Sequence, residues 1–448
     1  VTGGLGREAA LDLAATALGV GGADGVEVLL TRDDTALTRF AESRIHQNTA
    51  RVDGEARVRV VVDGARVGVV ATNDLTTDGV RRAAAAAVEA ARVTPPDPAF
   101  PGLAPKAEYG TAGEDDDGTA HATPAERAAL VATMLGHLGA DMVAAGTAET
   151  GRREQAVVNS NGVAGYHAST RAALTCLVSG TDSTGWAEDT AGAVGTLSAD
   201  AVAARAVGKV AAGAAPRDVA PGDWQVVLEP TAVGTLVEWL CWLAFGGREL
   251  VEGRSAISGR LGERVCSPSL TLVDDPLAPG MLGSPFDAEG TPKRALPLLT
   301  DGVAANAAHD RMSARLAGTE STGHAFPAPN PDGGFPANPS LRPGEASLDD
   351  LVAGCGRALL VTRFHYTNPV HALSTTLTGM TRDGTFLVED GRVVGGVRNL
   401  RFTQSILAAL STVEAVGRET ALGSEFGGSV RVPALRLGSF HFSSATTF

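Results

Sequence analysis

Histidine, cysteine and carboxylate spacing sets what chemistry this 448-residue chain supports. His365 and His371, in RFHYTNPVH, form the closest histidine pair. They converge on one ion only if Asn368-Pro369 turns the chain and Cys355 or Glu238 completes the site. A pair without a regularly spaced third donor is a weak metal signal. The nine histidines contain no HExxH or HExxxH pair. Cys176, Cys241, Cys266 and Cys355 stand far apart with no CxxC, which reads as reduced, buried thiols. No GxSxG elbow, GxGxxG turn or GK[ST] ending is present, so serine-triad catalysis and nucleotide binding find no support. Glu238 is the charged group of an otherwise apolar segment, TAVGTLVEWLCWLAF. A buried carboxylate needs a cation, here Arg254 or Arg260, or a proton. An activated glutamate would serve as a general base, while a structural ion pair is the more economical expectation. His365 has two readings, a cleft-lining side chain and a structural one.

The elements that position these groups are readable around Glu238. An apolar strand, Trp224 to Leu228, passes through Pro230, a suitable first helical residue, into apolar positions at Val233, Leu236, Val237, Leu240, Cys241 and Ala244. That pattern predicts a helix made for burial. Gly246-Gly247 predicts a left-handed cap at its end, and a charged loop, SAISGRLGERV, leads to a second strand ending in Asp274-Asp275.

This strand, buried helix, SGRLGE loop and VDD ending resemble the central signature of the TldD/PmbA family, paired bacterial proteins of which one is a zinc peptidase and the other lacks the metal. RFAESRIHQN, DSTGWAED and TFLVEDGRVVGGVRNLRFTQSIL extend the resemblance along the chain. In zinc-bearing members the buried helix carries HExxxH, whose histidines ligate zinc and whose glutamate acts on bound water. Aligned by the flanking strand and loop, those positions read Glu238, Trp239 and Leu243. Leucine has no donor atom, and tryptophan accepts no proton at neutral pH. A cysteine shortly before a late GxSVPV-like strand supplies the family's third ligand. Here that strand reads GGSVRVPAL, preceded by Ala421 to Phe426, and no cysteine follows Cys355. The resemblance therefore implies the metal-free TldE/PmbA type, with no cofactor in this chain and zinc in a partner.

The net charge of −14 argues against a nucleic-acid partner. No apolar run approaches a membrane span and VTGGLGREAALDLAA lacks a signal-peptide core, so a cytoplasmic protein is expected. The expected fold class is α+β. Residues 1–96 form an N-terminal domain with a small sheet and two helices on one face, and 97–119 a linker. Residues 120–222 form a helix and β-hairpin section, with Trp186 either touching substrate or packing on the next helix. Residues 223–448 form a mixed or antiparallel sheet around the degenerate metal-site helix. Dipeptide turns are expected at Asp63-Gly64, Asn161-Gly162, Asp383-Gly384 and Asp390-Gly391.

The leading functional expectation is a zinc-less subunit that pairs with a zinc-bearing TldD-type homologue and helps form a groove for an extended peptide. The resemblance implies strand addition of unfolded peptides and maturation of small ones. The alternatives are a stand-alone, metal-independent hydrolase or tailoring enzyme using Glu238 or His365, and a peptide-binding homodimer.

Overall fold

The structure, a computed structural model, describes residues 4–423 and 428–446. Its first half is built on long antiparallel strands: β1 (Gly25–Ala41), β2 (Arg44–Val62), β3 (Arg66–Thr72), β4 (Val143–Asn159), β5 (Ala164–Ser179) and β6 (Thr184–Ala191). They form one six-stranded sheet in the order β3-β2-β1-β4-β5-β6. Stretches 1–96 and 120–222, expected as separate units, thus share a sheet through the β1–β4 ladder, which runs from Glu27↔Asn159 to Phe40↔Gly146. The apolar stretches Val26–Thr31 and Leu37–Phe40, which read in sequence as two strands, are one continuous strand. Its polar middle, Arg32 to Ala36, stays in register with β2 and β4 through unbroken backbone pairing on both sides, and Asp33 also meets Arg153 across the sheet.

Alternation gives this sheet two different faces. Val26, Val28, Leu30 and Phe40 of β1 are buried with Ala144, Ala148, Ala156 and Val158 of β4. Helices Arg7–Ala15, Thr77–Val93, Pro124–Leu135 and Ala199–Gly213 cover that face. The Thr123–Glu126 capping box opens the third of these helices, as its sequence predicts. Asp63-Gly64 forms the β2–β3 turn with φ of 50° and 70°. The segment expected as a linker is tied down: Asp115 pairs with Arg152, and the Tyr109 ring packs on Phe286.

The second half contains β7 (Gly222–Leu228), the central helix Pro230–Ala244, then β8 (Leu272–Asp274), β9 (Leu296–Thr300), β10 (Val303–Ala304), β11 (Pro339–Leu341), β12 (Arg357–His371), β13 (Thr376–Glu389), β14 (Arg392–Gly396), β15 (Leu400–Ser405), β16 (Val413–Gly423) and β17 (Val430–Ala445). These form a mixed sheet in which β7 runs parallel to β12 and β11 parallel to β17. Beyond the expected meander, β17 pairs with β7 as well as with β15 and β16. The path β7-β12-β13-β15-β17 therefore returns to β7 as a closed ring of strands. Phe364, Phe402 and Phe440 meet in its core, with ring centroids 4.7–5.4 Å apart. Asp383-Gly384 is not a hairpin turn. It has positive φ within β13, opposite a register shift in β12, and kinks a continuous strand. Among the described residues no helix is long and apolar enough to cross a membrane.

The two halves meet through the other face of the six-stranded sheet. Leu29 and Val157 pack against Phe286 and Ala288. Beside them Arg59 bonds Glu27 at 2.7 Å and Glu289 at 2.9 Å, with all three side chains buried. Asp287, also buried, is pushed upward by burial and by the charge of Glu289. Burial likewise drives the Glu27 carboxyl up to about 7, against the pull of Arg59. A raised carboxyl stabilises the fold fully below its unfolded value and loses that contribution as pH rises through about 7. Glu27→Gln removes this titration. Urea melts at pH 5 and pH 8 should therefore show the parent losing about 1–3 kcal/mol relative to the variant over that interval.

Candidate functional site

The central helix is positioned from both ends. Pro230 occupies its first turn, and Glu229 precedes it as N-cap residue. Glu229 holds Lys209 Nζ at 2.6 Å through one oxygen and accepts from Thr362 Oγ1 at 3.1 Å through the other. The helix thus enters the core fixed to both halves of the molecule. At its far end Phe245, not a left-handed glycine, is the cap residue, and neither Gly246 nor Gly247 has positive φ. Close approach is what requires glycine here: a Cβ on Gly247 would lie 2.4 Å from His309 Nδ1 and 2.5 Å from the Ala308 carbonyl oxygen.

Glu238 is 7% exposed and Leu243 is 6% exposed. Trp239 donates from Nε1 to Thr367 Oγ1 on β12 at 2.9 Å. Glu238 lines a narrow crevice between the helix and strands β16 and β17, together with Thr231, Thr235, Gly423 and Val430. Glu188 of β6 lines the same crevice. Its Oε1 accepts from Thr231 Oγ1 at 3.1 Å, and burial raises its carboxyl above the ordinary range, with Thr231, Arg363, Arg171 and Lys209 opposing. Two carboxyl groups on one crevice, one held toward its neutral form, are the residue types that acid–base chemistry uses.

Glu188 belongs to DSTGWAED, but sequence reasoning passed over it in favour of Trp186. Gly185 of that motif faces the Ala199–Gly213 helix, where a Cβ would lie 2.1 Å from the Ala206 carbonyl oxygen. Alternation then turns Trp186 to the opposite side, where the Arg363 guanidinium sits 4.0 Å from its ring centre. Arg363 in turn donates from Nε to Asp383 at 2.8 Å.

The cations expected for Glu238 are engaged elsewhere. Arg254 pairs with Glu252 at 2.6 Å and Glu249 at 3.6 Å, and Arg260 with Glu263 at 3.6 Å, all on the loop beyond the helix. His365 and His371 do not converge, because β12 runs on through Asn368 and Pro369, which pair with Thr378 and Leu377. Despite two bulges between them, they stand opposite Met380 and Thr376, four residues apart on β13, which separates them by roughly 13 Å along the sheet. His365 is half-buried and held below its usual range by burial and by Arg382 and Arg363. His371 is exposed and lies 2.9 Å from Ser374 Oγ. Residues 424–426 of the expected third-ligand region lie outside the described residues. The four cysteines are free and buried, and the Cys241 thiol is pushed well above its ordinary range by burial and by Asp274 and Glu238.

A pair that spacing did not reveal lies beneath the helix. His324 Nε2 meets Asp274 Oδ2 at 2.9 Å, and both side chains are 0% exposed. The other oxygen of Asp274 accepts from the Asn338 backbone, and His324 Nδ1 lies 2.9 Å from both the hydroxyl and the carbonyl oxygen of Thr322. These bonds fasten the segment carrying His324 and Asn338 to β8.

The central helix is thus buried against the mixed sheet, and the crevice beside it is bordered by Glu188 of the six-stranded sheet. Residues 221–444 match the PmbA/TldA metallopeptidase C-terminal domain, and residues 26–91 match the PmbA/TldA metallopeptidase domain 1. The chain belongs to the PmbA/TldD family. It is 24% identical to metalloprotease PmbA of Escherichia coli O157:H7 over 442 residues, 94% of this chain and 93% of that one. Its similarity to a metalloprotease of Methanothermobacter thermautotrophicus is 26% identity over 211 residues, 46% of this chain and 45% of the relative. The matched part thus spans about half the length of that relative and of one from Archaeoglobus fulgidus, 48% of which is covered. The crystal structure of TldE from Thermococcus kodakarensis superposes with a TM-score of 0.86 at 21% identity, covering 94% of this chain and 97% of that one. A putative modulator of a DNA gyrase from Thermotoga maritima superposes with a TM-score of 0.83 at 18% identity, covering 94% and 96%. These likenesses are ones of fold.

Breaking the pair beneath the helix leaves a carboxylate with no solvent to turn to. His324→Ala should lower unfolding free energy by about 3–5 kcal/mol in denaturant titration. His371→Ala, at an exposed position, should change it by less than about 0.5 kcal/mol.

Proposed function

We propose that this chain is the zinc-less subunit of a heteromeric peptidase, pairing with a zinc-bearing TldD-type homologue and contributing one wall of the cleft in which a small unfolded peptide is cleaved or matured. The observation that carries the reading is the chemistry of the helix positions. Where the family resemblance implies two histidines and a glutamate in zinc-bearing members, this chain has Glu238, Trp239 and Leu243. Leu243 is buried in the core, and an isobutyl group donates no lone pair. The full-length likeness to a protein named metalloprotease PmbA supports a place in peptide hydrolysis. The buried free thiols suit a reducing compartment, the cytoplasm.

A second reading, a metal-independent hydrolase or tailoring enzyme, rests on the crevice that Glu188 and Glu238 share. It makes Glu238 a proton carrier; the subunit reading makes it a wall residue.

The chain purified alone should retain less than ~0.1 equivalent of zinc by metal analysis and leave unfolded peptides intact. Co-expression with a zinc-bearing family member should yield a co-purifying, cleaving pair with zinc in the partner. Stoichiometric zinc in the lone chain rejects the proposal. In the active pair Glu238→Gln should keep kcat within about twofold, whereas a general base at this position would cost ~10²–10⁴-fold.

A further inference from the structure

Aromatic residues are scarce, 13 Phe, 4 Trp and 3 Tyr in 448, yet three of them are in ring contact at a solvent-facing position beside Glu238. Trp242, one helical turn beyond Glu238, meets Phe335 edge-on at 5.2 Å, and Phe335 meets Phe326 at 5.9 Å. Trp242 remains 49% exposed and Phe326 39% exposed. Single exposed apolar side chains are ordinary on any surface, but a contiguous aromatic patch marks a contact site.

The shape of the surroundings says what kind of contact. Phe326 and Phe335 line a cavity of about 190 Å³ between the two halves of the molecule. Phe335 also lines the small pocket at Glu238, so the aromatic shelf and the crevice are neighbours. In the other direction the cavity shares Arg153, Ser169 and Gly428 with a wider one of about 630 Å³, floored by the helix-free face of the six-stranded sheet. Most of that floor is polar, with four arginines to two carboxylates: Arg153 faces Asp33, Arg171 faces Glu149, Arg51, Arg152, Thr35 and Thr49 lie among them, and Leu37 and Leu282 add apolar surface. A recess opening onto a polar trench admits a side chain on a thin, extended strand and excludes the broad face of a folded protein.

Resting on the peptide-cleft reading above, we propose that Trp242, Phe335 and Phe326 form a side-chain subsite for one aromatic or branched aliphatic residue of an extended peptide whose polar neighbours lie along the sheet floor. The ligand class is thus an unfolded, mostly hydrophilic peptide with a single apolar anchor. The anchor's buried area supplies the selectivity, and the floor exchanges its ion pairs with the rest of the chain.

The test uses the full chain alone and two fluorescein-labelled dodecapeptides of Gly, Ser, Thr, Lys and Glu that differ only in a central Phe or Ala. Anisotropy titration should give the Phe peptide ~10-fold or greater preference. Phe326→Ala, on an irregular loop, and Trp242→Ala should each reduce that preference to about threefold or less while leaving the Ala peptide's affinity unchanged. Equal binding of both peptides, no binding of either, or a preference that survives both substitutions overturns the subsite. Size measurement covers the remaining occupant: if Trp242→Ala converts an oligomer of this chain to monomer, the shelf is a subunit contact and the proposal falls. Because no cleavage or partner is involved, the subsite can fail while the zinc-less subunit stands, and a failed pairing with a zinc-bearing homologue leaves this readout intact.

Discussion

Desolvation of the central helix is the constraint on which the rest depends. Eleven of its fifteen residues are buried, so each group it carries must be apolar, bonded, or placed where the packing opens. Leu236, Leu240 and Leu243 satisfy the first condition, Thr235 and Trp239 the second through bonds to Thr231 and Thr367, and Glu238 stands at the crevice. Glu229 settles the entry angle by engaging Lys209 from the first half and Thr362 from the second. The helix therefore reports on both halves at once.

Legibility followed the local physics. The alanine-rich run before Pro95-Pro96 reads as a helix from about residue 77 to 93, and the structure gives Thr77–Val93 with Thr76 as its N-cap. The capping box at Thr123 and the turns at Asp63-Gly64 and Asp390-Gly391 were readable because each is decided within four residues. The length of β1, β2, β4 and β5 was not. Their outer portions are polar, and what keeps them extended is the neighbouring strand, which no window of sequence contains. Asp383-Gly384 shows the converse error, since a dipeptide suited to a turn here bends a strand locked by Arg363.

The site was half legible. The motif positions Glu238, Trp239 and Leu243 lie on one helix, and the family resemblance of the flanking strand and loop located them. Glu188, His324 and the Phe326–Phe335 pair come from other elements, and only tertiary packing brings them near. Arg254 and Arg260 looked like partners for Glu238 because they are close in sequence, but their loop carries its own glutamates. The observed partners are nearer still along the chain, Glu249 and Glu252 for Arg254 and Glu263 for Arg260, so the loop satisfies its own charges.

Closure of the strand ring carries a consequence for how the polypeptide reaches this state. Leu228 of β7 pairs with Leu435 of β17, so the first strand of the second half and its last must find one another before the central helix has its full enclosure. Until then an intensely apolar helix waits with part of its surface uncovered. Contacts so distant along the chain make for slow nucleation and a window of vulnerability to aggregation during synthesis.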